Sequence, residues 1–198
     1  LHAQGFETTL IDHDPAQIEF VKRFGFKVFY GEVSRLDLLE AAGARDARAM
    51  VIAINDQEKS KLIVELAKRH FPNTKLYVRA IGRSHAFDLI ELEVDGFERD
   101  LFHSSIHLGV KVLIGLGYPP HRAWCIAKAF VRHDEKTLLE SQKLRHDDAA
   151  FLSFVKESQT MLDAVMQADA ESAQGDRPSG WHAEESLIDT EAEARRDN

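Results

Sequence analysis

The sequence has a single cysteine, Cys125. That excludes an internal disulfide framework, removes zinc sites built on paired cysteines, and fits a reducing compartment. No apolar run reaches the ~18 residues that a helical membrane span needs, so this stretch of chain does not itself cross a bilayer. Basic residues are in deficit: 25 Lys and Arg stand against 33 Asp and Glu, a net charge of -8. A nucleic-acid surface needs the opposite sign, so no nucleic-acid partner is expected. There is no Gly-x-Ser-x-Gly elbow, and Cys125 on an amphipathic helix reads as a packed thiol rather than a nucleophile. His121, His133 and His146 sit beside arginines at spacings that match no metal motif, and read as residues of solvated faces. An initiator methionine and the ordered regions of a signal peptide are also missing.

What is present alternates regularly. Glu7 to Ile11 is a short β-rich run. Asp14 caps a helix with Pro15 at its first position, where the missing N–H costs nothing. Phe26 to Tyr30 is a second strand, closed by Gly31. A short helix around Leu36 and Leu39 ends at Gly43. Ala49 to Ile54 is apolar without alternation, as in a parallel strand covered on both faces. Asp56 caps a longer helix that Pro72 and Asn73 end. Lys75 to Ala80 is a further strand, and a helix from about Ser84 to Glu93 precedes Gly96. This order predicts an α/β fold, a Rossmann-like doubly wound parallel sheet with right-handed crossovers. LHAQG at the start reads as the last turn of a helix capped by Gly5. The pattern therefore predicts a first strand and a Gly-rich phosphate loop upstream of Leu1, with the present chain a fragment lacking that cradle.

From Phe102 the pattern becomes helical. One helix carries Ile106, Val110, Leu113 and Ile114 on its inner stripe, and Gly115, Gly117 and Pro119-Pro120 break it. A second runs from about Pro120 through Phe130. A third lies between Thr137 and Gln167, with Leu138, Leu144, Phe151, Phe154, Val155, Leu162 and Val165 in its stripe. The expected division is a nucleotide-binding domain over 1–101, a helical dimerisation or crossover arm over 102–170, and an acidic, disordered tail over 171–198.

In a doubly wound sheet, ligands bind at the carboxyl ends of the strands. Asp12 ends a strand there, with His13 beside it. Its carboxylate is placed to accept hydrogen bonds from both ribose hydroxyls of an adenosine nucleotide, AMP, ADP, ATP or NAD(H), and to repel the 2′-phosphate of NADP(H). The plain alternative is that Asp12 and Asp14 only cap. Glu32 and Val33, after the next strand, face an adenine edge and ring, or else form a turn and a core contact. Asn55 follows the apolar strand as a nucleotide contact or a helix cap. Arg79 is a lone cation at the ligand edge, and His85 reads as an ordinary helix-surface residue. No catalytic constellation emerges.

The strings TLIDHDPAQIE, FGFKVFYGEVSRLDLLEAAGA, VIAINDQEKS, VRAIGRSHAFDLIEL and GFERDLF are similar to the regulatory domain of Kef-type glutathione-gated potassium efflux systems, the KTN, RCK or TrkA-N domain. The likeness runs from about Gly5 to Arg132 and continues weakly to Gly180-Trp181. The resemblance implies a homodimer on the cytoplasmic face of the bacterial inner membrane, joined to a potassium:proton antiporter domain of the same polypeptide. It implies AMP or NAD(H) as a regulatory ligand, glutathione or its adducts as effector, and a flavoprotein ancillary subunit. By that resemblance Asp12 is the ribose carboxylate and Glu32 the adenine-side acid. Arg99 holds glutathione, and Phe24 is the aromatic that activating adducts displace. Asp134 stands where the family has an asparagine, and an ionised Asp cannot donate a hydrogen bond to a tripeptide with two carboxylates. A regulatory domain sensing nucleotide alone is therefore the rival reading. A nicotinamide-dependent oxidoreductase is the third, and lacks a positioned acid or base.

Overall fold

The computed structural model describes residues 1–172, which divide into two compact units, Leu1–Phe102 and the segment from His103 onward. The first unit contains β1 (Thr9–Asp12), α1 (Pro15–Lys22), β2 (Lys27–Tyr30), α2 (Leu36–Ala41) and β3 (Ala49–Ile52). It continues with α3 (Gln57–His70), β4 (Lys75–Ala80), α4 (Arg83–Glu91) and β5 (Gly96–Arg99). All pairings are parallel. The expected α/β architecture is present, but its strands form two hydrogen-bonded sheets, β1-β2 and β3-β4-β5. At the start, His2–Gln4 is a 3-10 turn ended by Gly5 in the left-handed region.

Local chemistry explains the elements. Asp14 caps α1 by accepting the Ala16 N–H at 2.8 Å, and Pro15 opens the helix. Asp56 caps α3 by accepting the Lys59 N–H at 3.0 Å, while Lys68, Arg69 and His70 place positive charge in its last turn. Its buried residues Ser60, Ile63, Val64 and Ala67 recur at helical spacing. In β4, Leu76, Val78 and Ala80 are buried, whereas Tyr77 points to the other face and stays exposed. β5 is not legible in the sequence, being four residues that include Glu98 and Arg99. It is fixed from outside its own composition. Asp95 accepts the Leu76 N–H at 2.7 Å and the Asp100 N–H donates to the Ala80 carbonyl at 2.7 Å. Gly96 lets the two strands pair closely, since a Cβ there would lie 3.0 Å from the Tyr77 ring and push it aside.

The second unit is helical: α5 (Phe102–Gly115, beginning at the boundary), α6 (Pro120–Gln142) and α7 (Asp148–Ser172). α6 runs on past Phe130 where a break was expected, because no Gly or Pro interrupts His121 to Gln142. The third helix begins at Asp148, not Thr137, where Asp147 accepts the Ala150 N–H at 3.0 Å. Leu138, expected on the third helix, is a buried residue of α6. Ala123 and Ala127 on α6 meet Val110 on α5, with Ile106, Leu113 and Trp124 packed around them. These small residues, one turn apart, permit close approach of the two helices. α6 and α7 are joined by a polar chain in which Thr137 Oγ1 is 2.8 Å from Ser158 Oγ and Ser158 Oγ is 3.0 Å from His133 Nε2. His133 is therefore a half-buried interhelical residue and not part of a solvated face. Cys125 is exposed, not packed. Among the described residues no helix is long and apolar enough to cross a membrane. α7 takes in Glu171 and Ser172, the start of the expected tail. The remainder of that tail with Gly180-Trp181, and the Val165 side chain, lie outside the described residues.

Candidate functional site

The carboxyl ends of β1, β2, β3 and β4 carry the residues that the sequence singles out. β1 and β2 end level, with Asp12 opposite Tyr30. The Gly31 N–H donates to the Asp12 carbonyl at 3.0 Å, closing the end of the pair. Gly31 has φ 152°, and a Cβ there would come within 2.9 Å of Leu38, so only glycine fits this exit into Glu32.

Asp12 is about half exposed, with 43% of its side-chain surface accessible. Its Oδ1 accepts the Asp14 N–H at 2.9 Å and lies 3.4 Å from His13 Nδ1. Its Oδ2 has no partner among the described residues, which leaves it available to a hydroxyl donor. Asp14 is the cap and Asp12 braces the same turn, so the plain reading holds for part of Asp12's bonding capacity and not for all of it. His13 is largely exposed.

Glu32 lies beside this cluster. Lys59 Nζ is 3.1 Å from its Oε2, and this hydrogen bond holds the Glu32 carboxyl below the usual carboxylate range; the charge of Lys59 and the nearby His13 add to it. The Lys59–Glu32 pair links β2's exit to the first turn of α3, joining the two sheets at their carboxyl ends. Sequence reasoning passes over Lys59, because an ion pair across 27 residues leaves no periodic trace. Val33 is half-buried next to Glu32.

Asn55 and Arg79 are brought together. One Arg79 amino group donates to the Ala53 carbonyl at 3.0 Å and to Asn55 Oδ1, and the other lies 3.5 Å from Asp100 Oδ2. Arg79 thus clamps the ends of β3, β4 and β5, and its charge already has a carboxylate partner. Asp56, not Asn55, caps α3.

The effector candidates sit apart. Arg99 ends β5 at the carboxyl edge, its guanidinium stacked 3.7 Å from the Phe102 ring centroid. Phe24 follows α1, which runs back toward the amino ends of the strands. It is 59% exposed and stacks edge-on with Phe20 at 5.1 Å. A single chain therefore places Phe24 and Arg99 at opposite ends of the parallel strands. Asp134 lies on α6 of the second unit.

His85 is the clearest departure from expectation. It is fully buried on α4, and its Nδ1 accepts the Ile81 N–H at 3.2 Å. The remaining proton is then on Nε2, which has no partner among the described residues. Burial pushes its pKa down, with Asp88 opposing. A surface reading fails because His85 lies on the buried side of α4, where Ala86 and Leu89 are also at 0% exposure. Among the described residues no three His, Cys, Asp or Glu side chains are grouped to hold a metal ion.

Two family models divide the chain. Residues 1–97 match the TrkA-N domain and residues 104–184 match the potassium efflux system KefB C-terminal domain. Among solved structures, the chain is similar to the Shewanella denitrificans Kef CTD in AMP bound form, with 43% identity and a TM-score of 0.66, covering 72% of this chain and 87% of that one. It also shares its fold with the TrkA-N domain of inner membrane protein ybaL from Escherichia coli, at 14% identity and a TM-score of 0.51, covering 60% of this chain and 84% of that one. Parallel strands ending in a half-exposed carboxylate, a helical unit following them in the chain, and these two matches in that order lead to one conclusion: the chain belongs to the family of Kef-type potassium efflux system C-terminal regulatory domains.

Proposed function

We propose that the first unit binds an adenine nucleotide, AMP or NAD(H), at the carboxyl ends of β1 and β2, and that occupancy controls potassium efflux. The single observation that carries this is Asp12: a carboxylate at a strand end, one oxygen bracing its own turn and the other unpartnered among the described residues. Asp12 receives the ribose hydroxyls, with His13 beside it. Glu32 and Val33 flank the adenine, and Asn55 and Arg79 form the far wall. The AMP-bound relative supports the ligand class. The nucleotide is a regulatory ligand here, not a redox cofactor, and the domain acts by shifting a conformational equilibrium, without catalysis.

The domain works as a homodimer at the cytoplasmic face of the membrane, attached to an antiporter domain of the same polypeptide and open to a flavoprotein ancillary subunit. Leu108, Val112 and Leu116 support dimerisation. Leu108 and Val112 are exposed on the side of α5 opposite its packed stripe, and Leu116 is exposed just past its end. The opposite placement of Phe24 and Arg99 supports it too, since a glutathione site using both draws them from two chains. Asp134 favours the second reading, a domain that senses nucleotide only, because its carboxylate repels glutathione. Calorimetry with AMP, NADH and glutathione tests both. Saturable AMP or NADH binding that Asp12→Ala weakens roughly ten- to a hundredfold is expected. Binding unchanged by that substitution overturns the site, and tight glutathione binding overturns the second reading.

A further inference from the structure

The second unit contains a groove of about 280 Å³ between α5 and α6, remote in sequence from every residue of the nucleotide site. Its floor is apolar, made by Ile106, Ala127 and Val131, and its wall is aromatic, the Trp124 ring meeting His107 edge-on at 5.1 Å. Lys128 and Arg132 line it from α6 one helical turn apart, about 6 Å between Cβ atoms. Both are exposed, and neither has a carboxylate partner among the described residues. Asp134 and Glu135 follow Arg132 on the same helix and neither is within ion-pair distance of it. From Phe102 to His133 there is no Asp or Glu, while Lys111, Arg122, Lys128 and Arg132 all fall there, in a chain of net charge -8.

A solvated cationic face does not need an apolar floor, and a core groove does not need two unmatched cations at its mouth. Together they suit a ligand with an apolar or aromatic body and a negatively charged end. Burial of the body against Trp124, Ile106 and Val131 supplies the non-directional part of the affinity. Charge-assisted hydrogen bonds from Lys128 and Arg132 select the anion and orient it. We propose that the α5–α6 groove is a binding site for a small aromatic or apolar organic anion (carboxylate, sulfonate or phosphate), separate from the nucleotide site of the first unit. It lies on a different side of α5 from Leu108 and Val112, so a dimer formed through those residues leaves the groove open.

The probe is naphthalene-2-sulfonate, with 2-naphthalenemethanol as its neutral counterpart. The chain has two tryptophans, so Trp181→Phe leaves Trp124 as the single indole reporter. Saturable quenching of Trp124 by the sulfonate is expected, weaker in salt, with the neutral compound binding far less. Lys128→Gln and Arg132→Gln are each expected to raise the dissociation constant roughly tenfold. Lys128→Arg retains binding, and Asp12→Ala leaves it unchanged. Calorimetry on the unsubstituted chain repeats the measurement without the reporter. The proposal is overturned if both naphthalenes bind equally, if the two glutamine variants bind normally, or if Asp12→Ala abolishes the signal. It is also overturned if sedimentation shows that the sulfonate binds only by splitting a dimer, since the groove is then a contact between copies.

Discussion

The two units differ in the charge at their candidate ligand sites. In the first, cations are held by carboxylates: Lys22 by Glu19, Arg35 by Asp37, Lys59 by Glu32, Lys61 by Asp88 and Arg79 by Asp100. The half-exposed acid at the ligand edge is Asp12, whose natural partners are hydroxyl donors. In the second, Lys136 lies 3.9 Å from Glu140, whereas Lys128 and Arg132 line an apolar groove to which no acid contributes. A net charge of -8 hides this segregation, since the sum excludes nucleic acid but is silent on where a small anion could bind. In the proposed assignments, the first unit reads a sugar through a carboxylate, and the second offers cations to an anion.

The difference extends to packing, where the largest effect is expected. Leu89 is wholly buried among the helices of the first unit, and Leu89→Ala is expected to cost about 2–5 kcal/mol, read as a lowered urea midpoint. Val110 in the second unit is nearly as buried but packs on Ala123 and Ala127, so Val110→Ala is expected to cost about 2 kcal/mol. Equal losses would mean that the units do not differ in how their cores are filled.

Next in size is the carboxylate itself. Asp12→Ala is expected to weaken AMP by about 1.5–3 kcal/mol, roughly ten- to a hundredfold, with Lys128→Gln leaving AMP binding unchanged. Calorimetry on both variants checks this, and an AMP loss in Lys128→Gln would erase the distinction between the sites. Glu32→Gln removes the ion pair to Lys59 at a partly exposed position. It is expected to leave the urea midpoint almost unchanged, while a clear shift in AMP affinity would mark Glu32 as a ligand contact.

The smallest effect concerns pH. His85 is buried neutral, its native pKa below the ordinary value. Between that native value and about pH 6.5, the unfolded chain binds a proton that the native chain does not, so stability is full above about 6.5 and falls as pH drops below it. The urea midpoint of the natural chain should therefore decline from pH 7.5 to 5.5 more steeply than that of His85→Gln, whose side chain can still accept the Ile81 N–H. Parallel declines would place the proton uptake at other histidines.

Much of this was legible in the sequence. Asp14-Pro15 and Asp56 mark two helix starts that the structure bears out, because caps act on their own turn. The strand from Lys75 to Ala80 is likewise borne out. β5 was not legible, since four residues with two charges carry no pattern, and Asp95 and Asp100 fix it by bonding to β4. The continuity of α6 through Phe130 and the burial of His85 also escaped. An apolar stripe shows which face of a helix turns inward, but not how far the surrounding residues close over a polar member of it.

The sequence by itself determined the βα alternation, the acid at the end of β1 and the acid-free stretch from Phe102 to His133, because each depends on residues adjacent in the chain. Only the tertiary structure decided that Lys59 meets Glu32, that Arg79 is tied to Asn55 and Asp100, and that Trp124, Lys128 and Arg132 share a groove with α5. Those contacts join residues far apart in sequence, and packing geometry, not local preference, selects them.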